Sequence, residues 1–183
     1  MQTAKHSKST KADILDSALD IVREAGALSL TIDAVAERSG FSKGGVLYNF
    51  PTKDALIAAM VQRLADRFAE EIETARASHM RSKSPTLAAM VDVTEIWLRE
   101  NKSIARAILV THMKSPNLID SFMALKKRLK DAIRAEHPDF SEALAIWCSL
   151  EGLHFADAHG VMLHTDDERT GIFANLRRRL SLT

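Results

Sequence analysis

The sequence predicts an all-α protein of about nine helices, and three observations predict it. Apolar residues recur at three- and four-residue steps over most of the chain, as in Leu56, Met60, Leu64, Phe68 and Ile72. No run of β-branched and aromatic residues bounded by turns stands out as a strand. Glycine and proline, which interrupt helices, number only 7 and 4 in 183 residues.

Composition bounds the rest. Hydrophobic residues at 46% and charged residues at 27% suit a globular chain with a sizeable core. A formal net charge of +1 gives no argument for general nucleic-acid affinity. Up to Lys53 the acids nearly balance the bases, but the acids cluster on the first predicted helix. The bases lie on the N-terminal segment, at Lys43 and at Lys53, so a local basic face can form on a near-neutral domain. The single cysteine, Cys148, excludes an internal disulfide framework and fits a reducing cytoplasm, the expected compartment. No apolar N-terminal segment reads as a signal peptide. The most apolar helix, over residues 144–163, carries Glu151, His154, Asp157 and His159, so no membrane span is expected.

Residues 1–9 are polar, basic and without period. They are expected to be a mobile arm, either an ordinary terminus or one that touches phosphates or a minor groove. Thr10, with Asp13 three residues on, resembles a capping box and is the predicted start of the first helix. Ile14, Ala18, Ile21, Val22 and Ala25 give that helix its apolar face, and Gly26 ends it.

Residues 30–50, LTIDAVAERSGFSKGGVLYNF, read as two short helices joined by a tight turn. Thr31 can cap the first, which presents Ile32, Val35 and Ala36. Ser39-Gly40 stops it, with Gly40 suited to a left-handed position. Ser42 can cap the second, with Val46, Leu47 and Phe50 on its apolar side. Gly44 and Gly45 each cost roughly 0.8–1 kcal/mol against alanine inside a helix. Either the helix end frays there, or the missing side chains allow close approach to DNA or to the helix at residues 34–39. Thr52 then caps a long helix whose first residue is Lys53. A cation opposes the helix dipole there; a phosphate would reconcile the two, unless Lys53 only points into water.

That long helix, residues 54–77, leads into the remainder of the chain. Ser84-Pro85 starts the next, with Leu87, Met90, Val91, Thr94, Trp97 and Leu98 inward. A shorter helix follows at 103–113, then one at 117–136 whose outward Lys126, Lys127, Arg128 and Lys130 make a solvated face. Pro138 is the predicted start of the apolar helix, on which Cys148, Gly152, Ala156 and Gly160 form a small-residue stripe at four-residue steps. Thr165 with Glu168 is a capping box for the last helix, which presents Phe173, Leu176 and Leu180. These last two helices either pack only internally or form a four-helix dimer interface; the interface set is Cys148, Gly152, Ala156, Gly160, Phe173, Leu176 and Leu180.

No constellation for catalysis stands out, and no metal or cofactor is expected. Glu151 and His154 have the Glu-x-x-His spacing of di-iron bundles, but no second copy exists. His154, His159 and His164 step by five and do not share a helix face.

The segments ILDSALDIVREAG and LTIDAVAERSGFSKGGVLYNFPTKDAL resemble the N-terminal domain of the tetracycline-repressor (TetR/AcrR) family throughout, with the helix-turn-helix spacing, the caps and the trailing Lys53 in agreement. LEGLHFADAHGVML is similar to the penultimate helix of that family's second domain. The resemblance implies a DNA-binding domain over residues 1–55 and a ligand-binding and dimerisation domain over 56–183. It implies that residues 34–39 support and residues 42–49 enter the major groove, with Thr31, Tyr48 and Lys53 on phosphates. Ser42, Lys43, Gly44, Gly45 and Asn49 complete the expected DNA-binding set, and Lys43, able to donate to guanine O6 and N7, is the best base reader. The chain departs from the family at Leu47, where tyrosine is usual, and at Asn49, where histidine or tyrosine is common.

The implied function is a homodimeric repressor, not an enzyme, that binds double-stranded DNA at an inverted-repeat operator and is released by a small hydrophobic or aromatic effector. The expected pocket lining is Phe68, Met90, Trp97, Met113, Phe122 and Trp147, residues that would otherwise be plain core. The rivals are an activator of the same family, a helical small-molecule-binding protein with a degenerate reading motif, and an enzyme on a helical bundle.

Overall fold

The computed structural model describes residues 3–104, 106–107, 116–161 and 163–181. The helices are α1 (Thr3–Ala25), α2 (Ile32–Ser39), α3 (Lys43–Asn49), α4 (Lys53–Arg76), α5 (Pro85–Glu100), α6 (Asp120–Glu136), α7 (Phe140–His159) and α8 (Asp166–Leu180). Residues 102–104 and 106–107 are also helical; the remainder of the helix expected at 103–113 lies outside the described residues. Among the described residues there is no strand, only an isolated bridge between Ser82 and Ser181. No helix of the described residues is long and apolar enough to cross a membrane. The fold is all-α, as the sequence predicts.

Two compact units form, Met1–Leu64 with Ser103–Asp120, and Ala65–Lys102 with Ser121–Thr183. The boundary between them falls inside α4.

In the first unit α1 begins at Thr3, not at Thr10. Residues 3–10 contain no glycine or proline to stop a helix, so the helical segment extends back through the expected arm, and Thr10 is interior to it. Ile14, Ala18, Ile21 and Val22 of α1 are buried, with Val35 and Ala36 of α2, Val46 of α3, and Leu56, Met60 and Leu64 of α4. Ala25, expected on the apolar face, is exposed because it is the last residue of the helix. A two-pronged pair joins α2 to α1: Arg38 donates from both terminal nitrogens to the two Glu24 oxygens at 2.5 Å. Arg63 of α4 reaches Asp16 of α1 at 2.5 Å.

In the second unit α5 is the central helix, with ten buried residues from Thr86 to Leu98. It packs against α7 and α8. Arg177 of α8 holds it there through Asp92, at 2.7 Å, and Glu95. The N-terminus of α5 meets Glu136, the last residue of α6. Its carboxylate accepts from the Ser84 hydroxyl at 2.7 Å, the Thr86 N–H at 2.9 Å, the Thr86 hydroxyl at 2.8 Å and Arg76 at 3.1 Å. Burial pushes the Glu136 carboxyl up, but these donors outweigh it and hold it below its ordinary value.

α7 starts at Phe140, two residues beyond Pro138, because Asp139 caps it by accepting from Ser141 and Glu142 N–H at 2.9 and 3.1 Å. It ends at His159 rather than near residue 163. Gly160 has φ +69°, which a side chain would resist, and Val161 N–H donates back to Ala156 at 2.9 Å. Gly160 is thus the stop of α7, not the fourth member of a helical stripe. Thr165 and Glu168 form the expected capping box of α8.

Candidate nucleic-acid interface and ligand-binding unit

Three side-chain caps set the geometry of the helix-turn-helix. Thr31 Oγ1 accepts from Ala34 N–H, Ser42 Oγ from Gly45 N–H, and Thr52 Oγ1 from Ala55 N–H, each at 3.0 Å. Between α2 and α3 the chain turns at Gly40, whose φ of +73° is the left-handed conformation expected of it. Thr31, Ser42, Lys43, Gly44, Tyr48 and Lys53 are exposed; Gly45 and Asn49 are half-buried. They lie on α3 or at the N-termini of α2 and α4, where unpaired backbone N–H groups and the helix dipole favour an anion.

At the Leu47 departure the side chains of α3 divide between two faces. Val46 and Phe50 are in the core, Leu47 is half-buried beside them, and Tyr48 projects with 88% of its surface exposed. The aromatic side chain is therefore available on the outer face of α3, one position on from the family's usual place. Asn49 turns back along its own helix, donating from Nδ2 to the Gly45 carbonyl at 2.9 Å.

The glycine pair has a different neighbourhood from one of those expected. A Cβ on Gly45 would meet Ser42 Oγ at 3.3 Å and Phe41 Cβ at 3.7 Å, and one on Gly44 only Ser42 Oγ at 3.9 Å. No atom of α2 lies within 4 Å of either, so close packing on α2 is not why they are glycine.

One partner was not legible from helical spacing. The Lys43 ammonium donates to Asp33 Oδ2 at 3.1 Å and lies 2.9 Å from Oδ1, bridging the first turns of α3 and α2. The turn between the helices brings the pair together. The available signal was opposite charge beside two successive caps.

In the second unit Phe68, Met90, Trp97 and Trp147 are buried and Phe122 is half-buried; Met113 lies outside the described residues. Phe68 and Trp97 meet edge to face, with ring centroids 5.0 Å apart. Each indole N–H donates to a glutamate that also accepts from a cation. Trp97 reaches Glu71, which takes Arg67 Nε at 2.8 Å. Trp147 reaches Glu151 at 2.8 Å, and Glu151 takes Lys126 Nζ at 2.6 Å. Lys126, expected on a solvated face, is thus drawn into the α6–α7 pairing. Burial pushes the Glu151 carboxyl up, but Lys126 outweighs it and the carboxyl lies below its ordinary value. Burial holds the neighbouring His154 imidazole below its ordinary value.

The expected dimer residues divide. Ala156, Phe173, Leu176 and Leu180 are 1%, 0%, 3% and 1% exposed within the single chain. A side chain with no accessible surface has none to bury against a partner, so these four are core and not interface. Cys148, Gly152 and Gly160 are exposed, as is Phe155 on α7.

Residues 14–60 match the family described as bacterial regulatory proteins, tetR family. Residues 84–181 match the tetracyclin repressor-like C-terminal domain. The chain is 29% identical over 136 residues to the HTH-type transcriptional regulator RutR of Escherichia coli K12, covering 70% of this chain and 62% of that one. It is 25% identical over 126 residues to the HTH-type transcriptional regulator CymR of Pseudomonas putida, covering 68% and 62%. The match thus spans under two thirds of the length of these relatives. A transcriptional regulator from Rhodococcus sp. Rha1 shares the fold with a TM-score of 0.75 at 18% identity, over 93% of this chain and 95% of that one. The multidrug binding protein EbrR, complexed with malachite green, does so with 0.66 at 19% identity, over 94% and 98%. A capped helix pair that projects Lys43 and Tyr48 and matches the family's first domain is followed by a helical unit matching its second, and the chain belongs to the TetR family.

Proposed function

We propose that this protein is a homodimeric repressor that binds an inverted-repeat operator and leaves it when a hydrophobic or aromatic effector occupies the second unit. Residues 1–55 read DNA in this scheme, residues 56–183 bind effector and dimerise, no reaction is catalysed, and the protein acts in the cytoplasm. The observation that carries the reading is the outer face of α3, where Lys43 and Tyr48 project while Val46 is fully buried. The three formed caps and the exposed tyrosine are what a helix pair needs to present α3 to a groove. Two such helices in a dimer would enter successive major grooves, about 34–36 Å apart per DNA turn. Exposed Cys148, Gly152 and Phe155 on α7 are the surface proposed for the second copy.

Support for an aromatic effector comes from the rings of Phe68 and Trp97 and from the structural neighbour EbrR, complexed with malachite green and with proflavin. Effector binding would shift the population between two dimer geometries. A bound compound at a hundred times its Kd should stabilise the protein by about 2.7 kcal/mol, or roughly 5–10 °C in Tm. Screening a panel of aromatic compounds by thermal shift, then by release of DNA, tests this; a panel without a single shift would count against it.

The first test is selection of duplexes from a random pool by purified protein at fixed, moderate salt, because phosphate binding varies steeply with salt. Enrichment of an inverted repeat is expected; folded protein that enriches nothing would refute the reading. Gly44 provides a sharper check. An alanine there meets only Ser42 Oγ at an ordinary 3.9 Å. Gly44→Ala should therefore raise stability by roughly 0.5 kcal/mol while weakening operator binding about tenfold, since the added methyl would stand between backbone and DNA. Melting and fluorescence anisotropy on the selected operator read the two effects separately.

A further inference from the structure

We propose that Asp33 is a specificity-determining residue, which holds the Lys43 ammonium for base edges and denies it to phosphates. The proposal rests on the reading of α3 as the helix that enters the groove.

The geometry is a carboxylate from α2 and an ammonium from α3 in contact through both carboxylate oxygens, at 2.9 and 3.1 Å. Neither side chain is needed for packing: Lys43 is 60% and Asp33 72% exposed. Their charges cancel locally, so the pair presents little net attraction to a phosphate. An ammonium has three donors, and the carboxylate cannot use all of them. A guanine O6 or N7 is a neutral acceptor. It can take a remaining donor without displacing Asp33, because it carries no full charge to compete with the carboxylate. A phosphate must compete with Asp33 for the same charge. Random DNA offers Lys43 mainly phosphates, whereas an operator offers it an acceptor at a fixed place in the groove. The pair thus weakens nonspecific binding more than operator binding.

The test compares Asp33→Asn, Asp33→Glu, Lys43→Gln and the double variant Asp33→Asn/Lys43→Gln. Each is assayed as folded full-length protein on the selected operator and on a random duplex. Asp33→Asn should tighten random-duplex binding about tenfold for a dimer, about threefold per reading helix, and change operator binding less than about twofold. Its salt dependence on random DNA should steepen by about 0.9 per reading helix, because the released Lys43 now neutralises a phosphate. Asp33→Glu keeps the carboxylate and should behave as wild type. In the Lys43→Gln background Asp33→Asn should leave the operator-to-random ratio unchanged, since Asp33 acts through Lys43.

A specific wild type whose ratio and salt slope are the same in Asp33→Asn overturns the proposal and leaves the reading of α3 standing. So does an Asp33→Asn that loses affinity at one cytosine-containing operator position, because Asp33 would then read a base itself. A wild type that distinguishes no sequence overturns both.

Discussion

Replacing Glu136 with alanine should lower the melting temperature by about 5–10 °C, the equivalent of roughly 2–4 kcal/mol for a chain of this size. The reason is not the one carboxylate but the donors it leaves behind. Ser84 is 0% and Thr86 4% exposed, and Glu136 accepts from both hydroxyls and from the Thr86 N–H. Without it those donors stay buried and unpaired at the start of α5, and Arg76 loses an ion-pair partner. The loss falls on the most buried helix of its unit. Glu136→Gln keeps an acceptor oxygen and should cost less. The two variants also differ from wild type in pH dependence. The Glu136 carboxyl is held below its ordinary value of 4.5 in the folded protein. Its contribution is therefore complete above that ordinary value and is lost as pH falls through the lowered folded-state value. The acid limb of wild-type stability should be steeper than that of Glu136→Gln, with the two curves converging at low pH. Thermal melts across the acid range check the sign; parallel curves would show that Glu136 does not titrate with folding.

What could be read from the sequence was what neighbours in sequence decide. Thr31, Ser42, Thr52, Ser84 and Thr165 each cap the helix they precede, because a cap is satisfied within three residues. The four-residue steps of α4 put Leu56, Met60, Leu64, Phe68 and Ile72 in the core for the same local reason. Errors arose where a local signal was present but something else decided. Thr10 has the composition of a cap, yet nothing stops the helix upstream of it. Gly160 has the spacing of a stripe, yet its backbone is left-handed. The apolar faces of α7 and α8 were legible, but not their partner: α5, from another part of the chain, covers them, so Phe173, Leu176 and Leu180 have no surface left for a second copy. The Glu136 carboxylate meets Ser84, Thr86 and Arg76 across 50 to 60 residues, a distance no periodicity spans. Asp33 and Lys43 are nearer, ten residues apart, but only the turn at Gly40 brings them together.

Lys43 and Lys53 should separate into two kinds of DNA contact when each is changed to alanine. Lys43 is on the outer face of α3, and its ammonium is already matched by Asp33. Its value for random DNA is small, and its value for an operator is a directed hydrogen bond of about 1–3 kcal/mol for each base read. Lys43→Ala should weaken operator binding by about tenfold to a hundredfold and random binding by much less, relaxing the preference at the base it contacts. Equal losses on both would make Lys43 a phosphate contact. Lys53 is the first residue of α4, exposed, directly after the Thr52 cap. At that position its charge opposes the helix dipole, so its removal costs the fold nothing and relieves a few tenths of a kcal/mol. A phosphate seated on the free N–H groups of the same helix end would reverse that balance. Lys53→Ala should therefore weaken operator and random duplexes by the same factor, leave the sequence preference intact, and flatten the salt slope by about 0.9 per protomer. Titrations of both variants on both duplexes at several salt concentrations distinguish the roles. A Lys53→Ala protein with wild-type affinity would place that side chain in water and leave the α4 terminus out of the interface.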